Sequence, residues 1–289
     1  MRVILSLLIV VMLSGFSHAA RLTIGLIPEQ NVFKQMKRYQ PIGEYIEKKT
    51  EIKIKFTILS RYGNIIENFE KKQLDGAFLG SFTGALAIRK LGVEPIARPQ
   101  NLDGTSSYRG YIFVHKYSVI DSVDRMRHSV IAFVDKATTA GYIFPVAYLK
   151  EHGVNNIDTF FKEYYFTGSH DAAIYAVLNK EAEIGCAKNT IFDMLAREDP
   201  RVKDDLVILA TSPDVPSNGL ALRSNIAAEI KQKLKKALLG MAEDPEGKEV
   251  LKTFGILKFI ETTEKDYAPV FDFAKKAGIN LSTYDYKND

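Results

Sequence analysis

The residues of this 289-residue chain best suited to chemistry are small hydroxyls set where strands give way to helices. Thr138-Thr139-Ala140-Gly141 follows an apolar run at 129–134 and precedes a helical pattern at 142–149. A threonine ahead of a helix leaves its hydroxyl and the opening backbone N–H groups facing one point, where the partial positive charge of the helix start favours an anion. The plainer reading is that Thr139 only caps its own helix, and Pro145 beyond a first turn would kink that helix. Gly168-Ser169-His170-Asp171-Ala172-Ala173 is a second such turn. There Ser169 can cap, His170 can donate from a ring nitrogen, and Asp171 can accept a proton from a ligand, favouring protonated oxyanions over sulfate. Without a ligand the same residues make a capped helix with an acid in its first turn. Ser60-Arg61-Tyr62-Gly63-Asn64 and Gly80-Ser81-Phe82-Thr83-Gly84 repeat the scheme. One such turn is bland, whereas four facing a crevice at the carboxyl ends of strands make an anion site. Tyr62, Tyr108 and Tyr111 offer phenol donors and flat walls, or else pack a hinge. Lys188, Arg61 and Arg109 read as solvated surface charge.

Catalytic alternatives lack their parts. A metal-dependent hydrolase built on His170 and Asp171 needs further histidines. Of the five present, His18 lies near the N-terminus, and His115, His128 and His152 show no ligand spacing. No serine sits in a nucleophile elbow. The single cysteine, Cys186, excludes a disulfide framework and a cysteine-held metal cluster, and reads as a buried small hydrophobe. The sequence therefore predicts no catalytic residue, no metal and no cofactor.

The elements that must position these turns alternate between strand and helix, which predicts an α/β fold with mainly parallel sheets. Strands are expected at 22–26, 52–58, 76–79, 111–114, 130–133, 183–187 and 206–209. Ile52, Ile54, Phe56 and Ile58 alternate with polar residues, the period of a half-buried strand. Phe33, Met36, Ile42, Tyr45 and Ile46 fall on one helical face. Residues 225–278 read as helical, with turns at Asp244-Pro245 and near Gly255. Crossings between two lobes are expected at Tyr108-Arg109-Gly110-Tyr111 and across 211–219, the densest turn-forming segment. Two crossings put 20–109 and 218–289 in one lobe and 110–217 in the other, with hinges able to close a cleft. A single continuous sheet is the alternative.

Composition bounds the rest. Hydrophobic residues at 46%, 14 Tyr and 17 Phe supply a core and exclude disorder. A mean hydropathy of −0.09 excludes a multi-span membrane protein. Thirty-nine Lys+Arg against 35 Asp+Glu give a scattered +4, so a nucleic-acid partner is not indicated. Arg2, the apolar run 3–12 and Ser17-His18-Ala19 read as a signal peptide cut after Ala19, with an uncleaved anchor as the alternative. The expected product is exported, monomeric and soluble.

Several segments together resemble the phosphate-, phosphite- and phosphonate-binding family of ABC-transporter substrate-binding proteins. They are Tyr62-Gly63-Asn64-Ile65-Ile66, Leu74-Asp75-Gly76-Ala77-Phe78-Leu79-Gly80, Tyr108-Arg109-Gly110-Tyr111, the run Val134-Asp135-Lys136-Ala137-Thr138-Thr139-Ala140-Gly141, Gly168-Ser169-His170-Asp171-Ala172 and Pro216-Ser217-Asn218-Gly219. The resemblance implies a two-lobe periplasmic-binding-protein fold of type II with two hinge crossings and a tetrahedral oxyanion in the cleft. It implies Tyr62, Tyr108, Thr138, Thr139 and His170 as ligand-binding residues, with the N–H groups of Thr139 and Ala140 assisting, and the reading of the hydroxyl turns adds Ser81 and Asp171 to that set. The implied partner is an inner-membrane ABC-transporter permease, or, in the alternative, a membrane histidine kinase. Members that take aminoalkyl phosphonates place carboxylates on the far wall. Here Cys186-Ala187-Lys188-Asn189-Thr190 and Pro216-Ser217-Asn218 carry no acid, which disfavours 2-aminoethylphosphonate. Thr-Thr-Ala at 138–140 replaces the family's Ser-Thr-Ser, and Ser81-Phe82 departs from the usual turn.

Overall fold

The computed structural model describes residues 20–71 and 73–288, so the expected signal peptide at 1–19 lies outside the described residues. The strands in chain order are β1 (Arg21–Leu26), β2 (Lys53–Ile58), β3 (Gly76–Leu79), β4 (Glu94–Asn101), β5 (Ser107–Tyr108), β6 (Gly110–His115), β7 (Val130–Phe133), β8 (Glu163–Phe166), β9 (Ile184–Lys188), β10 (Leu206–Thr211), β11 (Val215–Pro216), β12 (Gly219–Leu222) and β13 (Ile256–Glu261). They form a six-stranded sheet ordered β13-β4-β12-β3-β1-β2, a five-stranded sheet ordered β10-β6-β9-β7-β8, and the short pair β11-β5 between them. This is the two-lobe α/β architecture, with each large sheet flanked by helices.

The sheets are mixed, where the alternating pattern predicts mainly parallel ones. β1 runs parallel to β2 and β3, but β12 lies antiparallel to β3 and β4, and β13 antiparallel to β4. In the second sheet β7 is parallel to β8 and β9, while β6 is antiparallel to β9 and β10. The reversed strands β6 and β12 each directly follow a crossing. A chain arriving from the other lobe enters the sheet at the cleft end and must run against the strands that finish there.

Leu22, Ile24 and Leu26 of β1 pack with Tyr39, Ile42 and Ile46 of the helix Val32–Thr50. Asn31 caps that helix by accepting from the N–H groups of Phe33 and Lys34. Its buried face begins after Phe33, which is 83% exposed although the helical spacing places it with the core. The strand β13 falls where the pattern reads as helix. A bulge between Ile256 and Lys258 breaks its alternation, leaving Ile256 and Phe259 buried at a helix-like spacing.

β5 and β11 cross between the lobes as an antiparallel pair, Tyr108 opposite Val215 and Ser107 opposite Pro216. The last residues join the halves without crossing between the sheets. Phe273 of the helix Ala268–Lys276 meets Phe144 at 6.3 Å, and Lys150 donates to the Ala277 carbonyl at 2.9 Å. Beyond that helix, Tyr286 lies against Gly63, and Asn288 bonds both Asp135 (2.8 Å) and the Lys136 N–H (2.9 Å).

Candidate functional site

Strand-to-helix turns from both lobes converge on one small enclosed cavity. From the first lobe come Glu29, after β1, Tyr62, after β2, and Ser81, which opens the helix Ser81–Leu91 after β3. From the second come Thr138 and Thr139 after β7, His170 after β8 and Lys188 at the end of β9, while Tyr108 and Asn218 stand at the crossings. The cavity volume is about 10 Å³, room for about one water. The lobes are closed on one another here: the Ser81 hydroxyl bonds both the Tyr108 phenol and the Thr139 hydroxyl at 2.6 Å.

The second-lobe turn is wider than an α-helical one. Residues Thr139–Ile143 form a single π turn before the helix Phe144–Glu151 takes over, so Pro145 falls in a first turn and causes no kink. A side chain at Gly141 would stand 2.4 Å from Val134 Cβ, so only glycine lets this turn fold back on β7. The opening amides of such a turn have no acceptor within it. Thr138 donates its hydroxyl to the Asp135 carbonyl at 2.6 Å, which commits its proton away from the cavity.

Ser169 caps the helix His170–Leu178, and Gly168 supplies the left-handed bend before it (φ 81°). His170 is buried and accepts the Lys188 N–H on Nδ1 at 3.3 Å. Burial, then the neighbouring Lys188 charge, lowers its pKa to about 3, so the ring is neutral and carries its proton on Nε2. Tyr62, edge-on to His170 with centroids 6.0 Å apart, keeps its proton because burial pushes the phenol well up. Two buried donors on this cavity have no hydrogen-bond partner among the described residues: the Tyr62 hydroxyl and Asn218 Nδ2. Buried polar groups are otherwise almost always satisfied, so both point to a hydrogen-bond acceptor as guest.

The far side of the cavity is charged. Lys188 Nζ lies 3.0 Å from Glu29 Oε1 and 3.0 Å from Asn218 Oδ1, and 4.3 Å from the Tyr108 ring centre. Both side chains of the ion pair are 8% exposed. Burial alone would raise the Glu29 pKa, but Lys188, with Arg38, outweighs it and holds the carboxyl below its usual range. Beyond this pair an open groove of about 510 Å³ runs between the lobes. Among the described residues no group of three or more His, Cys, Asp or Glu could hold a metal ion.

The family model described as "ABC transporter, phosphonate, periplasmic substrate-binding protein" matches residues 24–267. The chain belongs to this family. The phosphonates-binding periplasmic protein of Escherichia coli is 22% identical over 257 residues, 88% of this chain and 75% of that protein. A binding-protein component of an ABC phosphonate transporter from Pseudomonas aeruginosa shares the fold with a TM-score of 0.83 at 21% identity, over 90% of this chain and 87% of the other. PhnD1 from Prochlorococcus marinus, solved with methylphosphonate, gives 0.79 at 20% identity, over 90% and 99%. Members of this substrate-binding family are transport components of the periplasm, not enzymes. Among the described residues no helix is long and apolar enough to cross a membrane.

Within this family member, Tyr62, Ser81, Tyr108, Thr138, Thr139 and His170 of the sequence-derived set line the cavity. Ala140 does not line it, and its Cα instead backs the crossing at Gly110, where an added Cβ would come within 3.0 Å. Asp171 is also displaced from it. One carboxylate oxygen accepts from the Ser169 hydroxyl and the Ala172 N–H, the other from Asn31 N of the opposite lobe at 2.9 Å. Asp171 thus fastens the lobes, and each of its oxygens accepts a hydrogen bond within the protein. Tyr111 packs edge-on against Phe192. Arg61 and Arg109 are exposed, as read from the sequence, but Lys188 is buried. The far wall also has its acid: Glu29 arrives from Ile27-Pro28-Glu29-Gln30-Asn31, far from the segments where the sequence comparison looks for one. Both Glu29 and Lys188 sit where a strand ends and a helix follows, and that position is the signal that would have found them.

Proposed function

We propose that this protein captures a small phosphorus oxyanion, a phosphonate, phosphite or phosphate, and delivers it to an ABC transporter after export through a cleaved signal peptide. The observation that carries the reading is the set of donors on one cavity: the unpartnered Tyr62 hydroxyl and Asn218 Nδ2, His170 Nε2, and the Ser81, Tyr108 and Thr139 hydroxyls. A tetrahedral anion supplies acceptors in the directions that such a shell requires. Its binding takes a slightly wider closure than the one described, with those three hydroxyls turned from one another to the guest. The moving units are 20–109 with 218–289, and 110–217, with the final helix and tail touching both. Methylphosphonate bound by PhnD1 from Prochlorococcus marinus supports the ligand class. Titration calorimetry with methylphosphonate, phosphite, phosphate and sulfate tests it. Saturable binding of at least one phosphorus oxyanion is expected, and no binding of any of them removes the reading.

A further inference from the structure

The Lys188 ammonium is held as a small-molecule ammonium would be. A carboxylate (Glu29 Oε1, 3.0 Å), an amide oxygen (Asn218 Oδ1, 3.0 Å) and an aromatic face (Tyr108, 4.3 Å) surround it, all within the cleft. Those three group types are what an organic cation needs when it leaves water: a counter-charge, an acceptor and a π face. The lysine reaches them from the end of β9, in the lobe opposite Glu29. We propose that Lys188 is the specificity-determining residue of this cleft. It fills a ready-made ammonium subsite with the protein's own side chain, so that phosphorus oxyanions with small neutral substituents are accepted and those bearing an ammonium group are refused. This rests on the oxyanion reading above.

The geometry links the two halves of such a ligand. Tyr108 carries the hydroxyl cluster on its phenol oxygen, through Ser81, and Lys188 on its ring face. The hydroxyl cluster and the ammonium box therefore share Tyr108, one at its phenol oxygen and the other at its ring face. Truncating Lys188 to alanine removes a chain one heavy atom longer than an aminoethyl group and leaves Glu29 and Asn218 Oδ1 facing the freed space. An aminoalkyl phosphonate entering that space restores the charge balance; a neutral alkyl group of the same size leaves a buried carboxylate unpaired.

Calorimetry on the full mature chain tests this with methylphosphonate, 2-aminoethylphosphonate and propylphosphonate, the last being the uncharged isostere of the second. Wild type should bind 2-aminoethylphosphonate about a hundredfold more weakly than methylphosphonate. Lys188→Ala should prefer 2-aminoethylphosphonate over propylphosphonate by about tenfold or more, and Glu29→Gln added to it should abolish that preference. A Lys188→Ala protein that binds methylphosphonate but shows no such preference overturns the proposal. If Lys188→Ala does not fold, the wild-type comparison decides: near-equal affinities for methylphosphonate and 2-aminoethylphosphonate overturn the proposal, and the hundredfold gap supports it. Wild type that binds none of the three defeats the oxyanion reading, and this one with it.

Discussion

The two ends of the cleft cavity close by different means. At one end Ser81, Tyr108 and Thr139 exchange hydrogen bonds among neutral hydroxyls. At the other, Glu29 and Lys188 bring opposite charges together out of water. A hydroxyl turns about a single bond and gives its proton to a guest at little cost. An ion pair in a buried site cannot turn aside without stranding a charge. The first end is thus built to exchange internal bonds for a ligand's, and the second to stay shut and define the shape that fits. His170 joins them, with Nδ1 bonded to the Lys188 N–H and its remaining proton on the opposite ring nitrogen.

Three experiments probe that division. The largest effect is expected at the charged end. Glu29→Ala strands the Lys188 ammonium and should lower unfolding stability by about 3–5 kcal/mol, read from urea denaturation, while the Glu29→Gln, Lys188→Met double variant recovers most of the loss. A Glu29→Ala protein as stable as wild type would mean that the pair is not the rigid end. Next comes the hydroxyl end. Ser81→Ala removes one donor to the oxyanion, a loss of about 1.5–3 kcal/mol or roughly 10- to 150-fold in affinity by calorimetry. Unchanged affinity would take Ser81 out of the binding shell. A pH dependence lies between them. The histidine's free pKa of 6.5 is depressed to about 3 in the folded protein. The unfolded chain therefore binds a proton below pH 6.5 that folded His170 refuses. This contribution is whole above pH 6.5 and declines as pH falls toward 3, by up to about 1.4 kcal/mol per unit. Urea midpoints at pH 7, 6 and 5 should fall more steeply for wild type than for His170→Gln, and equal slopes would place a charged imidazole in the cleft.

Local sequence carried much of this architecture. β3 and β7 occupy the residues that their apolar runs mark, because strands buried on both faces announce themselves by composition alone. The hydroxyl turns were visible for a similar reason, since Ser and Thr before a helical pattern have a local meaning. What failed depended on distant partners. β13 pairs with β4 through a bulge that erases its alternation. Asp171 has the residue type of a ligand acceptor, yet one of its oxygens accepts from Asn31, 140 positions away in the chain. Lys188 reads as surface because lysines usually are, and Glu29, 159 residues earlier, supplies the counter-charge that makes its burial tolerable.

By itself, then, the sequence determined the alternation of elements and the turns that carry hydroxyls, because propensity, capping and periodicity act over a few residues. Which of those turns share a cavity, which donors there lack partners, and that the far wall holds a lysine neutralised by a glutamate were decided only by the tertiary structure. Burial and charge pairing join groups that the chain keeps far apart, and no local pattern encodes the distance between them.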